Sequence, residues 1–182
     1  MTKTALILVD IQNDYFPDGV WPVEGMTDAA AKAALLLDHA RKKEFTVIHV
    51  RHEILSPDAR FFKPRSSGAE IHASVSPQPG EAVVLKHKPN SFLATDLKHH
   101  LDGSGITGIV LAGAMSQMCI DATARAASDH GYDVTVAHDA CAAKSVEFAG
   151  RQVPAADVHA CIMAALSGTY ANVVACDTLI AG

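Results

Sequence analysis

Three residues with chemistry to offer each follow a short apolar run: a carboxylate, an amine and a thiol. Asp10 ends the run at 5–9, Lys86 ends the run at 82–85, and Cys119 lies just beyond the run at 107–112. Cys119 carries the sharpest expectation. Gly113-Ala114-Met115-Ser116-Gln117-Met118-Cys119 joins a strand to a helix, and Ser116 as N-cap puts Cys119 in the first helical turn. There the helix dipole and free amides favour an anion, which lowers a thiol pKa from about 8.5 and raises the thiolate fraction. A thiolate attacks a carbonyl carbon. Cys141, Cys161 and Cys176 lack that setting and read as small buried hydrophobes. Asp10, half out of water, suits a proton acceptor, or it orients the following loop. An ammonium at Lys86 would hold both anions and stabilise an oxyanion. Lys88, two residues on, could be confused with it, and a surface lysine at a strand end is common.

The elements that must position these groups alternate along the chain. Strands are expected at 4–9, 46–51, 82–85, 107–112, 133–137 and 172–176. Helices are expected at 27–43, 92–101, 117–130 and 154–166. Thr27 would cap the first helix, with Leu35, Leu36 and Leu37 facing a core. Strand–helix alternation of this kind implies one three-layer α/β domain with a parallel sheet, over residues 1–182. Ligands of such sheets bind beyond the carboxyl ends of the strands, where Asp10, Lys86 and Cys119 all fall. Residues 56–80, rich in proline and polar groups, form the least periodic stretch, a lid or an interface arm.

Composition narrows the function classes. Hydrophobic residues make up 49% and charged residues 19%, which excludes a disordered chain. The net charge of −5, without a basic run and with 5% aromatics, argues against nucleic acid or an anionic membrane as partner. No apolar run approaches the roughly 18–20 residues of a membrane span. Met1-Thr2-Lys3-Thr4 lacks the long apolar region and small-residue cleavage site of a signal peptide, so none is expected. Four cysteines make no disulfide scaffold in a chain of 182 residues, and a reducing cytoplasmic location is expected.

Three spaced motifs in order give the chain a resemblance. Leu8-Val9-Asp10-Ile11-Gln12-Asn13-Asp14-Tyr15-Phe16 carries Asp-x-Gln; Lys86 is followed by Ser91-Phe92 and Thr95-Asp96-Leu97; Gly113 to Cys119 is followed by Thr123. Gly131-Tyr132-Asp133-Val134 and Asp139-Ala140-Cys141-Ala142 also fit. Over nearly its whole length the sequence resembles the isochorismatase-like cysteine hydrolases, which include nicotinamidases, N-carbamoylsarcosine amidohydrolases and isochorismatases. The resemblance implies a Rossmann-like, mostly parallel sheet of six strands and an Asp-Lys-Cys triad of Asp10, Lys86 and Cys119. The spacing to Phe92 selects Lys86 over Lys88. It further implies a cis peptide between Ala114 and Met115, with the Met115 and Cys119 amides as an oxyanion hole. The implied reaction is hydrolysis of the C–N bond of a small amide, hydrazide or carbamoyl compound through a Cys119 thioester. Vinyl-ether hydrolysis without a covalent intermediate is the rival enzyme reading; a binding protein with a merely oxidisable Cys119 is the rival of another class.

The Asp-x-His that nicotinamidases use for a metal is absent from Val50-Arg51-His52-Glu53-Ile54, so no such metal and no cofactor is expected. The partner expected is a small-molecule substrate, and the resemblance implies a homo-oligomer, a dimer or tetramer. Gln12, Phe16, Trp21, Asn90 and Ser116 are the candidate pocket residues, with Phe62 more readily a core residue. Gly103 to Gly108 matches G-x-G-x-x-G but has a helix before it and a strand after it, the reverse of a dinucleotide site. His138 with Cys141, and His159 with Cys161, lack a second pair at zinc spacing and read as ordinary polar or packed residues.

Overall fold

Thr4–Val9 forms β1, and its unbroken apolar character follows from its central place. It pairs in parallel with β2 (Thr46–His52) on one side and β4 (Gly108–Ala114) on the other. Its two faces are both covered, so alternation with polar residues would bury polar groups. Leu6 and Leu8 pack toward α1 (Met26–Lys42), and Ala5, Ile7 and Val9 toward Leu97, Leu101 and Ala124 on the other face. The computed structural model describes residues 3–181; Met1 and Thr2, part of the stretch read for a signal segment, and Gly182 lie outside the described residues.

The remaining elements are β3 (Ala82–Lys86), α2 (Leu97–Gly103), α3 (Asp121–Asp129), β5 (Asp133–Ala142), β6 (Val146–Phe148), β7 (Arg151–Val153), α4 (Ala155–Leu166), β8 (Asn172–Val174) and α5 (Cys176–Ala181). Six strands form one sheet in the order β3-β2-β1-β4-β5-β8, every neighbouring pair parallel. The chain moves outward from β1 to β3, then returns to place β4 on the other side of β1. That reversal opens a crevice at the carboxyl ends of β1 and β4. The two strands approach closely there. Gly113 has φ +134, and a Cβ on it would lie 1.9 Å from the Val9 carbonyl oxygen, so glycine is required. Among the described residues, no helix is long and apolar enough to cross a membrane.

Several expected boundaries move, each for a local reason. The first helix starts at Met26 behind Gly25 in the left-handed region (φ 73), so Thr27 is not its cap. Leu35 is 54% exposed, because three consecutive residues span about 200° of a helix and cannot share one face. α2 begins at Leu97 rather than 92. Asn90 Oδ1 accepts the Phe92 amide, and Thr95 Oγ1 donates to Ser91 O, so side chains hold 90–95 in turns. β5 runs on to Ala142, and the last strand stops at Val174, where Cys176 opens α5. The β6–β7 hairpin was not expected. Its turn, Ala149-Gly150, has both residues at positive φ (51 and 77), the conformation of a tight hairpin.

Candidate active site

Asp10 leaves β1 with φ 52, a region most side chains avoid. Its amide still donates to Val50 O at 2.9 Å, so the turn of the chain happens within one residue. Its carboxylate is fully buried, with Oδ2 2.8 Å from Lys86 Nζ. Lys86 is fully buried too and donates to Pro89 O at 2.8 Å, whereas Lys88 is exposed. Neither Asp10 oxygen receives a well-aligned hydrogen bond, so the contact with Lys86 is chiefly one of charge. Cys119 is 3% exposed, and its sulfur lies within 4.8 Å of the Asp10 carboxylate and of a His52 ring nitrogen. Asp10, Lys86 and Cys119, far apart in the sequence, thus meet at one place.

The electrostatics correct one expectation. Burial pushes the Cys119 thiol up, the Asp10 carboxylate pushes it further, and Lys86 only partly offsets them. The resting sulfur is therefore a thiol, not the thiolate that its place in a helical turn suggested. Burial would lower Lys86, but Asp10 and Cys119 outweigh it and hold the ammonium charged. Burial lowers His52 despite the nearby Asp10, which leaves a neutral imidazole.

The turn bearing the sulfur also departs from expectation. The Ala114–Met115 peptide is cis, and the next residues, Ser116–Ile120, wind as a π-helical turn before α3. Ser116 is not its cap; Met115 precedes the turn and no side chain caps it. The buried Ser116 hydroxyl instead lies 3.1 Å from Ala142 O and 2.9 Å from His159 Nδ1. Thr123 in α3 donates to Ser91 Oγ at 2.8 Å and accepts the Ser91 amide at 3.1 Å. That buried pair ties the segment after Lys86 to the helix after Cys119.

The candidate pocket residues fare unevenly. Gln12 is fully committed to the protein. Its Nε2 donates to His52 O (2.9 Å) and Ala69 O (2.8 Å), and its Oε1 accepts the His52 amide (2.7 Å). Phe16 stacks on His72 at 3.6 Å and lines a separate surface depression with Gly68. Asn90 shapes the turn described above. Trp21 stacks on Phe61 at 4.9 Å, Phe61 touches Phe62 at 5.0 Å, and Phe62 faces His52 at 6.0 Å. An aromatic wall thus leads from the loop after β1 to the site, with Phe62 buried as expected. Sequence reasoning missed His52 and Phe61. The signal for His52 was its place as the last residue of β2, in line with the inward-facing Ile48 and Val50. Cys161 is exposed, which corrects its reading as a buried hydrophobe; Cys141 and Cys176 are buried.

Carboxylate, imidazole and thiol together form a donor set that a divalent metal accepts. Asp10 Oδ2 already faces the Lys86 ammonium at 2.8 Å, a positive charge where the ion would need to bind. The set does not fit a resident metal, and no step below uses one.

A family model, the isochorismatase domain, matches residues 4–155. The Bacillus subtilis isochorismatase family protein YddQ is 48% identical, over 93% of this chain and 94% of its own. Maleamate amidohydrolase of Pseudomonas putida is 31% identical, over 75% of this chain and 71% of its own. A crystal structure from Oleispira antarctica, assigned to the isochorismatase hydrolases, superposes with a TM-score of 0.96 at 54% identity. It covers 100% of this chain and 97% of its own.

Proposed function

This chain belongs to the isochorismatase family of hydrolases, and from that premise we propose that it cleaves the C–N bond of a small amide, hydrazide or carbamoyl compound through a thioester on Cys119. The observation that carries the reading is the buried meeting of Asp10, Lys86 and Cys119 beside the Ala114–Met115 turn. The maleamate amidohydrolase relative adds support for C–N chemistry.

Asp10 takes the Cys119 proton as sulfur attacks the carbonyl carbon, so no standing thiolate is needed. The Met115 and Cys119 amides receive the oxyanion. The C–N bond breaks while the proton on Asp10 passes to nitrogen, and the amine departs. Water then loses a proton to Asp10 and attacks the thioester. Sulfur leaves, regains its proton, and the acid is released. Lys86 stays charged throughout and keeps Asp10 and the developing negative charge together in a buried site, where charges interact more strongly than in bulk water. The reading extends to a cytoplasmic homo-oligomer, dimer or tetramer. Light scattering checks the oligomeric state.

The test is a panel of small primary amides and hydrazides, with ammonia or hydrazine release as the signal and intact mass after acid quench. The expected result is an acyl adduct on Cys119 and loss of turnover by at least about a thousandfold in Cys119→Ala. Turnover that survives Cys119→Ala without any adduct overturns the thioester and favours vinyl-ether chemistry.

A further inference from the structure

The steps above leave the buried, ionisable His52 without a task. His52 ends β2, between Asp10 at the end of β1 and Lys86 at the end of β3, and is paired in register with Lys86. It continues the inward column of Ile48 and Val50, where a third apolar residue would be the ordinary choice. It is 7% exposed, and its Nδ1 lies 3.8 Å from Asp10 Oδ2. Its backbone is clamped on both sides by the Gln12 amide, so the ring is held in place from the loop that follows Asp10. The charged and titratable groups around it are Asp10, Lys86, Cys119 and His87. The Phe62 ring stands over it at 6.0 Å. A neutral imidazole offers one N–H and one lone pair.

The strand order decides which end of a substrate His52 meets. The Met115 and Cys119 amides lie beyond β4, on one side of Asp10; His52 and Lys86 lie at the ends of β2 and β3, on the other. With the carbonyl oxygen turned toward β4 and Asp10 delivering the proton, the departing group lies toward β2.

We propose that His52 sets leaving-group specificity: its ring nitrogen accepts a hydrogen bond from an N–H of the departing amine, so the site favours amides and hydrazides over esters of the same acid. An ester oxygen has no proton to offer and would leave the buried lone pair facing another. His52 keeps its own proton throughout. The C–N bond still breaks with proton transfer from Asp10, and the reading rests on the thioester proposed above.

The probes are a matched pair with one acyl group: butyryl p-nitroanilide, whose leaving nitrogen carries N–H, and p-nitrophenyl butyrate, whose leaving oxygen does not. Acylation of Cys119 is followed by mass and by released chromophore. His52→Ala is expected to slow the anilide about tenfold and the ester less than about twofold, the loss of one hydrogen bond. His52→Gln, which keeps an acceptor, recovers part of the anilide rate. Equal slowing of both probes, or no slowing of either, overturns the role of His52 while the thioester stands. Absence of Cys119 acylation by either probe in the unaltered protein overturns the thioester, and the inference with it.

Discussion

Glu81, half-buried where the chain enters β3, and Asp10, fully buried where it leaves β1, are carboxylates at opposite ends of the sheet, and their surroundings differ. At the amino end, Glu81 Oε1 accepts Arg41 Nε at 2.7 Å, while Oε2 accepts Arg41 Nη2 at 2.9 Å and the Gln78 amide at 2.8 Å. His49 Nε2 lies 2.9 Å from the same Oε2. At the carboxyl end, Asp10 has one ammonium at 2.8 Å and no aligned hydrogen bond on either oxygen. The Arg41 guanidinium above all holds Glu81 down at about 2, even against burial. A carboxylate so saturated does not take up a proton near neutrality, but it fastens α1 to the start of β3. Arg41 also donates to Ser76 O and so pins the end of the long loop. On the proposed reading, one sheet separates two uses of charge. Where every lone pair is filled, charge holds structure; where lone pairs are left open, it can move a proton.

The largest effect that could break this contrast comes from swapping each carboxylate for its amide. Asp10→Asn is expected to lose turnover by about a thousandfold or more, because it removes the proton acceptor. Glu81→Gln is expected to keep turnover within about twofold. Steady-state rates on folded protein decide, and comparable losses in both variants would erase the distinction.

Stability against pH sharpens it. A carboxylate whose folded pKa lies below its unfolded value contributes stability above that unfolded value and loses it as pH falls. For Glu81 the window runs from about 4.5 down to about 2. Thermal melting is expected to fall across that window, with a flatter curve for Glu81→Gln. At pH 7 the variant should melt about 3–6 °C lower, the effect of roughly 1–2 kcal/mol once solvent screening at the partly exposed Arg41 is discounted. Identical curves for the two proteins would remove Glu81 from the account.

The smallest effect lies at the thiols. Iodoacetamide at pH 7.5 should modify the exposed Cys161 before Cys119, whose sulfur is buried and protonated. Peptide mass spectrometry resolves the sites. Faster reaction at Cys119, with an apparent pKa below about 8.5, would show that Asp10 does not hold the proton relation described above.

Much of the site was legible because its residues sit at sequence landmarks. Asp10 and Lys86 each close an apolar strand, and a parallel sheet brings such ends together. The choice of Lys86 over Lys88 came from the family spacing, and burial of Lys86 agrees with it. The Cys119 thiol was misjudged because a local helix argument counts only local dipoles. The groups that raise it arrive from β1 and from the surrounding core, which no short window of sequence contains. Gln12 was misassigned for the same reason, since its partners at His52 and Ala69 come from elsewhere in the chain. Leu35 shows the opposite failure, where helical periodicity alone would have sufficed.

The loop after β1 has a consequence for variation in the long segment between β2 and β3. Gln12 holds Ala69, and Asp14 Oδ2 accepts the Phe62 amide at 2.6 Å. Gly68 passes so close to Asp14 that a Cβ there would lie 2.0 Å from its carboxylate. Ile54 and Phe62 are joined by a backbone hydrogen bond of 2.9 Å, which closes residues 55–61 into an arch with its own base. Phe61 belongs to the aromatic wall against Trp21, but insertions, deletions or grafted sequences at 55–60 would be absorbed above the base and would not shift Asp10. The same changes at 62–71 would pull directly on it. The molecule thus carries an exchangeable rim on a fixed frame, and the boundary between them falls at Phe61.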